Sequence, residues 1–342
     1  MRQVELLVSP TRPKRLKMPV DHGALDLAKE RFGAAQRVLL VAHMRPDGDA
    51  VGSLIGLGLA LQQSGRQVQM VIEDGVPSEY RLLEGSDQVQ KRPEGQFDLV
   101  GLVDCSEMER TGKVLIDWPM PDINIDHHCT NRDYARVNLV DLQAVATAEI
   151  VADLIPVLGL KLTTPVAAAL LTGLVTDTIG FRTSNVTPKA LRLAAELMET
   201  GVDLSELYRR TLINRSFEAV RLWGAGLTKV ERLGRLVWTT LTRLDREAAH
   251  YPGRDDADLI NILAAIEDTD ISIIFVEQPN GSVKVSWRAQ PGFDVSKVAL
   301  SFGGGGHPAA SGAEISGSLP EVQAAVLEQT CPLLDGGQSV QQ

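Results

Sequence analysis

The amino-acid sequence predicts an α/β protein whose larger, N-terminal domain is a parallel sheet with helices on both faces. Through the first half of the chain, short apolar runs alternate with stretches of helical pattern, and each run ends at polar residues. Strands that alternate with helices form parallel sheets, because the connecting helices cover the faces. In the last third, the pattern changes to strands joined by short turns, which predicts a smaller mixed α/β domain.

The elements of the first domain are predicted in order along the chain. The strands are Arg37–Ala42, Val68–Ile72, Asp98–Val103 and Ile123–Ile125. The helices are Ser53–Gln63, Ala146–Leu158, Pro165–Val175 and Pro188–Thr200. A Thr-Pro pair opens the last two helices, and proline is favoured in the first helical turn.

The domain boundaries follow from these patterns. We expect an N-terminal extension over residues 1–30, a catalytic domain over 31–205, a helical linker over 206–231 and a second domain over 232–335. The extension shows no pattern that we can assign, so we expect it to be solvated. The second domain is predicted to contain the strands Leu236–Leu241, Ile271–Glu277 and Val283–Ala289, and the helix Asp258–Ile266. Asn280-Gly281 is typical of a hairpin turn between the last two strands.

Composition limits the kinds of partner. The net charge of −10 argues against a broad electrostatic grip on duplex DNA, although small anionic substrates remain compatible with it. The three cysteines show no CxxC spacing and do not indicate a disulfide framework. The apolar runs are too short or too interrupted to span a membrane, and we find no signal peptide. We therefore expect a cytoplasmic protein.

Acidic residues and histidines cluster where the predicted strands end. His43, Asp47 and Asp49 follow the first strand, Asp104 ends the third, and the triplet Asp126-His127-His128 ends the fourth. The carboxyl ends of parallel strands line a single crevice, so these clusters converge. Asp177 provides a fourth cluster within a helical pattern.

So many carboxylates in one crevice would repel one another unless cations offset them. A lone aspartate at a strand end is more often a cap or a turn former than a metal ligand. Four such clusters together favour a metal site. Mixed histidine and aspartate ligation suits Mn²⁺ best, with Mg²⁺, Zn²⁺ or Fe²⁺ as alternatives.

A glycine-rich segment, SFGGGGHPAASG, stands out in the second domain. Consecutive glycines such as Gly304, Gly305 and Gly306 let the backbone approach an anion closely, and His307 adds a charge or a directed hydrogen bond. The segment is neither a Walker loop nor a dinucleotide-binding fingerprint. Arg288, in a predicted strand, is a candidate partner for a phosphate or carboxylate.

These motifs together resemble the DHH phosphoesterase family. The segments HMRPDGDAVGS, LVDCS, IDHHCTN and GLVTDTIGFRTSN look like its four motifs in order, and SFGGGGHPAASG is similar to the signature of its associated C-terminal domain. The resemblance covers about residues 40–315. Length and layout look most like the branch that degrades nanoRNA and dephosphorylates 3′-phosphoadenosine 5′-phosphate.

The resemblance also implies roles for individual residues. His43 and Asp47 would bind one metal ion, Asp49, His127 and Asp177 the other, and Asp104 would bridge the two. His128 would face the substrate phosphate, and Asp126 would orient a histidine. The C-terminal domain would bind the rest of the substrate, through a set consisting of Arg288, Gly304, Gly305, Gly306 and His307.

The function that the resemblance implies is hydrolysis of short oligoribonucleotides or 3′-phosphoadenosine 5′-phosphate to AMP, with two divalent ions as cofactors. An alternative is a phosphodiesterase acting on cyclic di-AMP or its linear product pApA, and a second alternative is a non-catalytic nucleotide sensor. Processive degradation of long strands is disfavoured, because the chain has 4% aromatic residues and an acidic balance. The resemblance further implies a homodimer.

Overall fold

The computed structural model describes residues 21–336 of the 342-residue chain. The chain divides into two compact units, the first ending at Asn214 and the second beginning at Arg215. The linker that we predict over residues 206–231 is therefore shared between the units. Its helix Phe217–Leu227 contributes Ala219 and Leu222 to a hydrophobic core of the second unit.

The first unit alternates strands and helices. In chain order its elements are α1 (His22–Ala34), β1 (Arg37–Val41), α2 (Gly48–Gln63), β2 (Gln67–Val71), β3 (Val89–Gln90), β4 (Leu99–Val103), β5 (Ile123–Asp126), β6 (Val137–Val140), α3 (Thr147–Val157), α4 (Thr164–Asp177), α5 (Pro188–Glu199) and α6 (Leu204–Tyr208). A π-helical turn, Arg209–Ile213, follows α6.

The six strands of the first unit form one sheet in the order β3-β2-β1-β4-β5-β6, and every neighbouring pair is parallel. This confirms the predicted α/β class. The strands after β1 are added on one side of it up to β3, and the strands from β4 onward are added on its other side. Ligands bind at such a switch point, here between β1 and β4, in open α/β sheets.

The two faces of this sheet are covered differently. Val38 and Leu40 of β1 point into the large core that the helices share, whereas Leu39 and Val41 point to the other face. There they pack with the segment that follows β4, which contains a short 3₁₀ turn, Met108–Thr111. The apolar pattern of the sequence does not predict this irregular cover.

The expectation of a solvated N-terminal extension is wrong for residues 22–30. These residues belong to helix α1, in which Ala28 is 0% and Phe32 1% exposed. Leu25, Ala28 and Phe32 recur at helical spacing, and the side chain of Asp21 accepts a hydrogen bond from the Gly23 amide at the start of the helix. Residues 1–20 of the predicted extension lie outside the described residues.

The second unit is a mixed sheet with helices. Its elements are α7 (Phe217–Leu227), β7 (Glu231–Leu233), β8 (Leu236–Leu241), α8 (Arg243–Ala249), α9 (Leu259–Leu263), β9 (Ile271–Glu277), β10 (Ser282–Ala289), α10 (Ser296–Ser301), β11 (Gly305–His307), β12 (Ala310–Ser316), α11 (Leu319–Thr330) and α12 (Pro332–Gly336).

The sheet of the second unit has the order β11-β12-β10-β9-β8-β7, with β8 and β9 parallel and the other neighbours antiparallel. The hairpin predicted at Asn280-Gly281 joins β9 to β10, and Gly281 adopts a φ of +82°. Within residues 21–336, no helix combines the length and apolar character needed to cross a membrane.

Candidate metal centre

The sheet of the first unit brings three of the acidic and histidine clusters to one edge. His43 lies just beyond the end of β1, Asp104 follows β4 directly, and Asp126 is the last residue of β5. Since β1, β4 and β5 are adjacent and parallel, their carboxyl ends lie side by side. The predicted convergence of these clusters is confirmed.

Close packing of two antiparallel helices brings together the carboxylates of Asp49 and Asp177. A Cβ atom at Gly48 of α2 would collide with Thr176 of α4, and one at Gly52 would lie 2.3 Å from the carbonyl oxygen of Ala169. Only glycine allows the two backbones to approach this closely. The start of α2, which carries Asp49, therefore meets the end of α4, which carries Asp177.

A first group of possible ligands consists of His43, Asp47 and Asp104. His43 Nε2 lies 3.4 Å from Asp104 Oδ2 and 3.9 Å from Asp47 Oδ1. His43 is 2% exposed and Asp104 is 1% exposed, and neither His43 Nε2 nor Asp104 Oδ2 has a hydrogen-bond partner. Buried polar atoms are normally satisfied, so this pair of atoms fits the ligands of a bound cation.

The local contacts of this first group fix its geometry. His43 Nδ1 lies 2.9 Å from the backbone oxygen of Met44, which leaves Nε2 to face the carboxylates. Asp47 caps α2, because its Oδ1 accepts hydrogen bonds from the amides of Asp49 and Ala50 at 3.1 and 3.0 Å. The Asp47 side chain is 59% exposed, so it forms the open side of the group.

A second group consists of Asp49, His127 and Asp177. His127 Nε2 lies 3.7 Å from Asp177 Oδ2 and 3.9 Å from both Asp49 Oδ2 and Asp104 Oδ1. Its other ring nitrogen lies 3.3 Å from the backbone oxygen of Ala144. Asp104 thus stands between the two groups, with Oδ2 toward the first and Oδ1 toward the second.

Asp126 does not belong to either group but orients the histidines beside it. Its Oδ1 lies 2.7 Å from His128 Nδ1 and accepts the His127 amide at 2.9 Å. Its Oδ2 accepts a hydrogen bond from the side chain of Asn131 at 2.6 Å. Asp126 is fully buried, so these bonds satisfy a carboxylate that would otherwise be costly to bury.

The carboxylates of the second group carry raised pKa values. Burial, reinforced by the charges of Asp104 and Asp47, raises the pKa of Asp177 to about 7, although His127 opposes the rise. Burial and the charges of Asp104 and Asp177 also raise the pKa of Asp49. Without a cation, these groups therefore resist the ionised form that a ligand needs.

Neighbouring carboxylates raise the pKa values of His128 and His43. Burial alone would lower the pKa of His128, but its bond to Asp126 and the charge of Asp104 raise it to about 9. Burial likewise opposes the charge on His43, yet Asp104 and Asp47 raise its pKa. Burial disfavours ionisation of Asp104 too, but His43, together with the neighbouring histidines, holds its pKa below the ordinary value.

These features fit two divalent cations. The two groups offer carboxylate and imidazole donors that all lie within 4.8 Å of one another inside each group. In the first group, two buried ligand atoms have no hydrogen-bond partner, and in the second group, the pKa values of the carboxyl groups are raised. A bound positive charge would stabilise both arrangements. The donor set suits Mn²⁺ and related ions rather than the softer, sulfur-seeking metals.

The predicted binding residues Arg288 and His307 lie on β10 and β11, two strands of the second sheet that are separated by β12. Arg288 of β10 faces Ala310 of β12, which in turn faces His307 of β11. Residues opposite one another in a sheet share a face, so Arg288 and His307 are about 10 Å apart on one side. Burial lowers the pKa of Arg288, while Asp256 and Asp258 oppose that effect.

The glycine segment forms the edge of this sheet rather than an isolated loop. Gly305–His307 is the edge strand β11, and Gly304 packs so tightly that a Cβ there would lie 2.2 Å from the Gly312 carbonyl oxygen. Gly306 has a φ of +138°, a conformation that favours glycine. No atom outside its immediate chain neighbours lies within 4 Å of a Cβ built at Gly305, so this position faces open space.

Comparison with known proteins identifies the family. The DHH family, N-terminal domain, matches residues 37–174, and the DHHA1 domain matches residues 252–330. The chain is 38% identical over 297 residues to the bifunctional oligoribonuclease and PAP phosphatase NrnA of Thermus thermophilus, covering 85% of this chain and 88% of that protein. The chain belongs to the DHH family.

Two further proteins are similar to the chain, one in sequence and one in fold. The protein of the same name from Bacillus subtilis is 28% identical, over 81% of this chain and 89% of that protein. The crystal structure of an exopolyphosphatase-related protein from Bacteroides fragilis matches with a TM-score of 0.85 and 25% identity, covering 94% of this chain and 100% of that chain. As a DHH phosphoesterase, the chain is a hydrolase of phosphoester bonds, and the family uses divalent metals.

The motifs did not reveal every residue that shapes this DHH site. Thr147 donates to Asp104, its amide and that of Ala148 donate to Asp49, and Asn131 donates to Asp126. Asn131 lies at the end of the predicted motif IDHHCTN and could have been proposed from it. Thr147 lies in a stretch, ATAEIV, that predicts only a helix.

Proposed function

We propose that this DHH protein uses two divalent metal ions, preferably Mn²⁺ with Mg²⁺ as an alternative, to hydrolyse short oligoribonucleotides and 3′-phosphoadenosine 5′-phosphate to AMP. The observation that carries the proposal is that Asp104 belongs to one ligand group with His43 and Asp47 and to another with His127 and His128, while His127 also belongs to the group of Asp49 and Asp177. Relatives named for oligoribonuclease and PAP phosphatase activity, aligned over most of both chains, support the substrate class.

His43 and Asp47 would hold one cation, Asp49, His127 and Asp177 would hold the other, and Asp104 would contact both. Such a pair of ions supplies an activated water and neutralises charge on the phosphoryl group. The buried carboxylates would then be ionised as ligands, since the bound charges replace the protons that their raised pKa values favour.

His128 is proposed to contact the phosphate that is attacked. Burial opposes a charge on this ring, but the bond to Asp126 and the charge of Asp104 raise the pKa of His128 in the metal-free protein, which favours a protonated, positively charged ring. The bond from Nδ1 to Asp126 fixes the orientation of that ring. A fixed positive charge beside the phosphate favours the transition state, in which negative charge develops on oxygen.

The second unit is proposed to bind the remainder of the substrate. Arg288 can bond a phosphate or carboxylate through two parallel N–H groups, and His307 lies on the same face of the sheet. Gly305, on the same edge strand as His307, faces open space. The net charge of −10 favours small nucleotides over duplex DNA, and the homodimer implied by the family stays a prediction.

A substrate comparison tests the proposal. Purified protein is given 5′-pApA, 3′-phosphoadenosine 5′-phosphate or cyclic di-AMP, each with Mn²⁺ and with a chelator, and released AMP or pApA is quantified. We expect Mn²⁺-dependent AMP release from the first two. Preferential cleavage of cyclic di-AMP would show that cyclic dinucleotides, rather than short oligoribonucleotides, are the substrates. Tight binding without turnover would indicate a nucleotide sensor.

The same assay is applied to His127→Ala, which should lower turnover by more than about 100-fold without loss of fold. His250→Asn is the matched control, because His250 lies in the second unit at the end of α8 and outside both ligand groups. Asparagine tolerates the left-handed backbone at that position. Near wild-type turnover in His127→Ala would refute the assignment of the site.

A further inference from the structure

A short segment at the start of α3, residues 144–148, contacts proposed ligands that come from three other parts of the fold. The backbone oxygen of Ala144 faces His127, the hydroxyl of Thr147 reaches Asp104, and the amides of Thr147 and Ala148 reach Asp49. None of these contacts involves a residue of the segment that could itself bind a metal through a charged side chain.

The hydroxyl of Thr147 determines how the Asp104 carboxylate is turned. It donates to Asp104 Oδ1 at 2.9 Å, and both residues are buried. This bond leaves Oδ2 directed at His43 Nε2, 3.4 Å away, with no hydrogen-bond partner of its own. Rotation of the carboxylate would break a buried hydrogen bond, so the hydroxyl keeps one oxygen toward each ligand group.

The backbone amides at the start of α3 hold Asp49 in the same way. Asp49 Oδ2 accepts the Thr147 amide at 2.6 Å, and Oδ1 accepts the Ala148 amide at 2.9 Å. The N-cap residue of α3 is Ala146, whose side chain cannot cap, so a carboxylate from α2 takes that role. The positive end of the α3 dipole also favours a negative charge there.

The segment is itself anchored from the opposite side. Glu149 Oε2 accepts the Val145 amide at 3.0 Å, and Glu149 Oε1 pairs with Lys189 Nζ at 2.9 Å. Glu149 is buried, so this ion pair is shielded from solvent on the carboxylate side. The anchor holds the segment against α5, which carries Lys189, independently of the ligands.

We propose that Thr147 is a positioning residue for the metal pair, whose hydroxyl orients the Asp104 carboxylate toward both ligand groups, while the backbone amides at the start of α3 hold Asp49. The inference rests on the proposed two-metal function. Groups that orient metal ligands in this way typically change metal affinity or activity by about 10- to 100-fold when they are removed.

The test compares Thr147→Val with Thr147→Ser in the full-length, chelator-treated protein. Valine keeps the shape and the backbone amide but removes the hydroxyl, whereas serine keeps the hydroxyl. Mn²⁺ affinity and stoichiometry are measured by calorimetry, and turnover of pApA is measured as a function of Mn²⁺ concentration. Thr172→Val is the matched control, since Thr172 is equally buried and its hydroxyl bonds to the Ala168 carbonyl of its own helix.

We expect Thr147→Val to bind at least one Mn²⁺ about 10- to 100-fold more weakly, with turnover partly restored by excess Mn²⁺. Thr147→Ser and Thr172→Val should bind within about threefold of wild type. Should the valine variant fail to fold, Thr147→Ala, which also lacks the hydroxyl, replaces it in the same comparison.

Unchanged Mn²⁺ affinity in a folded Thr147→Val variant would overturn the inference and leave the two-metal function standing. An equal loss in Thr147→Val and Thr172→Val would also overturn it, because the effect would then reflect any lost buried hydroxyl. A wild-type protein that binds no Mn²⁺ would instead refute the proposed function, on which the inference depends.

Discussion

Asp104 is held by constraints on its backbone and on its carboxylate. Its φ of +57° is left-handed, a conformation that aspartate tolerates better than bulky residues do. Its carboxylate is buried, accepts the Thr147 hydroxyl and faces histidines of both ligand groups. A residue with these properties separates the two groups and can contact an ion in each.

We predict that Asp104→Asn lowers turnover by more than about 100-fold, because an amide lacks the charge that binds two cations. Asparagine has the same size and tolerates the same backbone, so the variant should fold, with a lower thermal midpoint for the metal-free protein because it loses the charge that the histidines stabilise. Turnover of pApA and a thermal melt with chelator would be measured together. Retention of turnover in the variant would contradict a bridging role.

Cys105 lies beside Asp104 and could be mistaken for a nucleophile. It is buried, and burial raises the pKa of its thiol to about 12, so the reactive thiolate is scarce at neutral pH. We predict that Cys105→Ala keeps turnover within about threefold of wild type, measured as the initial rate with pApA and Mn²⁺. A loss as large as that of Asp104→Asn would assign the thiol a role in catalysis.

The sequence predicts the charged residues of the site better than it predicts the residues that hydrogen-bond to them and hold them in place. His43, Asp104 and Asp177 stand out because buried charged residues at strand and helix ends need a special reason. Thr147 does not stand out, since a threonine at the start of a helix is ordinary and its partners are distant in the sequence. Its role depends on contacts that only the folded chain creates.

At the scale of elements, the crossing of α2 and α4 sets the distance between Asp49 and Asp177. Glycines of α2 recur at intervals of four residues on the side that faces α4, at Gly48, Gly52 and Gly56. This interval places them on one face of the helix. The crossing therefore couples the packing of the core to the shape of the second ligand group.

We predict that Gly52→Ala destabilises the protein by about 1–3 kcal/mol and weakens Mn²⁺ binding, because the added methyl group would push α4 away from α2. Gly33→Ala is the control. No atom lies within 4 Å of a Cβ at that helical position, so its stability should be unchanged or up to about 1 kcal/mol higher. Urea unfolding and Mn²⁺ titration would be compared. Equal behaviour of both variants would contradict the role of the crossing.

The sequence predicts four strands of the first sheet with ends within one residue of those observed, because each is a short, mainly apolar run bounded by polar residues. It misses β3 and β6, which have two and four residues and mixed polarity. It also misses α1, whose few buried apolar residues alternate in the sequence with exposed charged ones. Short edge strands and weakly patterned helices gain their stability from packing that the local sequence does not encode.

At the scale of the whole molecule, each unit has hydrophobic clusters of its own, and the proposed metal ligands all belong to the first unit. We predict that Mn²⁺ at 100 times its dissociation constant stabilises the first unit by about 2.7 kcal/mol per site. Calorimetric melts with Mn²⁺ and with chelator would show the shift. A midpoint that does not respond to Mn²⁺ would contradict binding to the folded state.

The central claim is that the histidine and aspartate side chains bind two cations that share Asp104. The most direct test is anomalous diffraction near the manganese absorption edge from crystals soaked in Mn²⁺. We predict two anomalous peaks about 3.5–4 Å apart, one beside His43 and Asp47, the other beside Asp49, His127 and Asp177, with Asp104 touching both. The absence of a peak at these side chains, or a single peak away from Asp104 at full occupancy, would contradict the two-metal account.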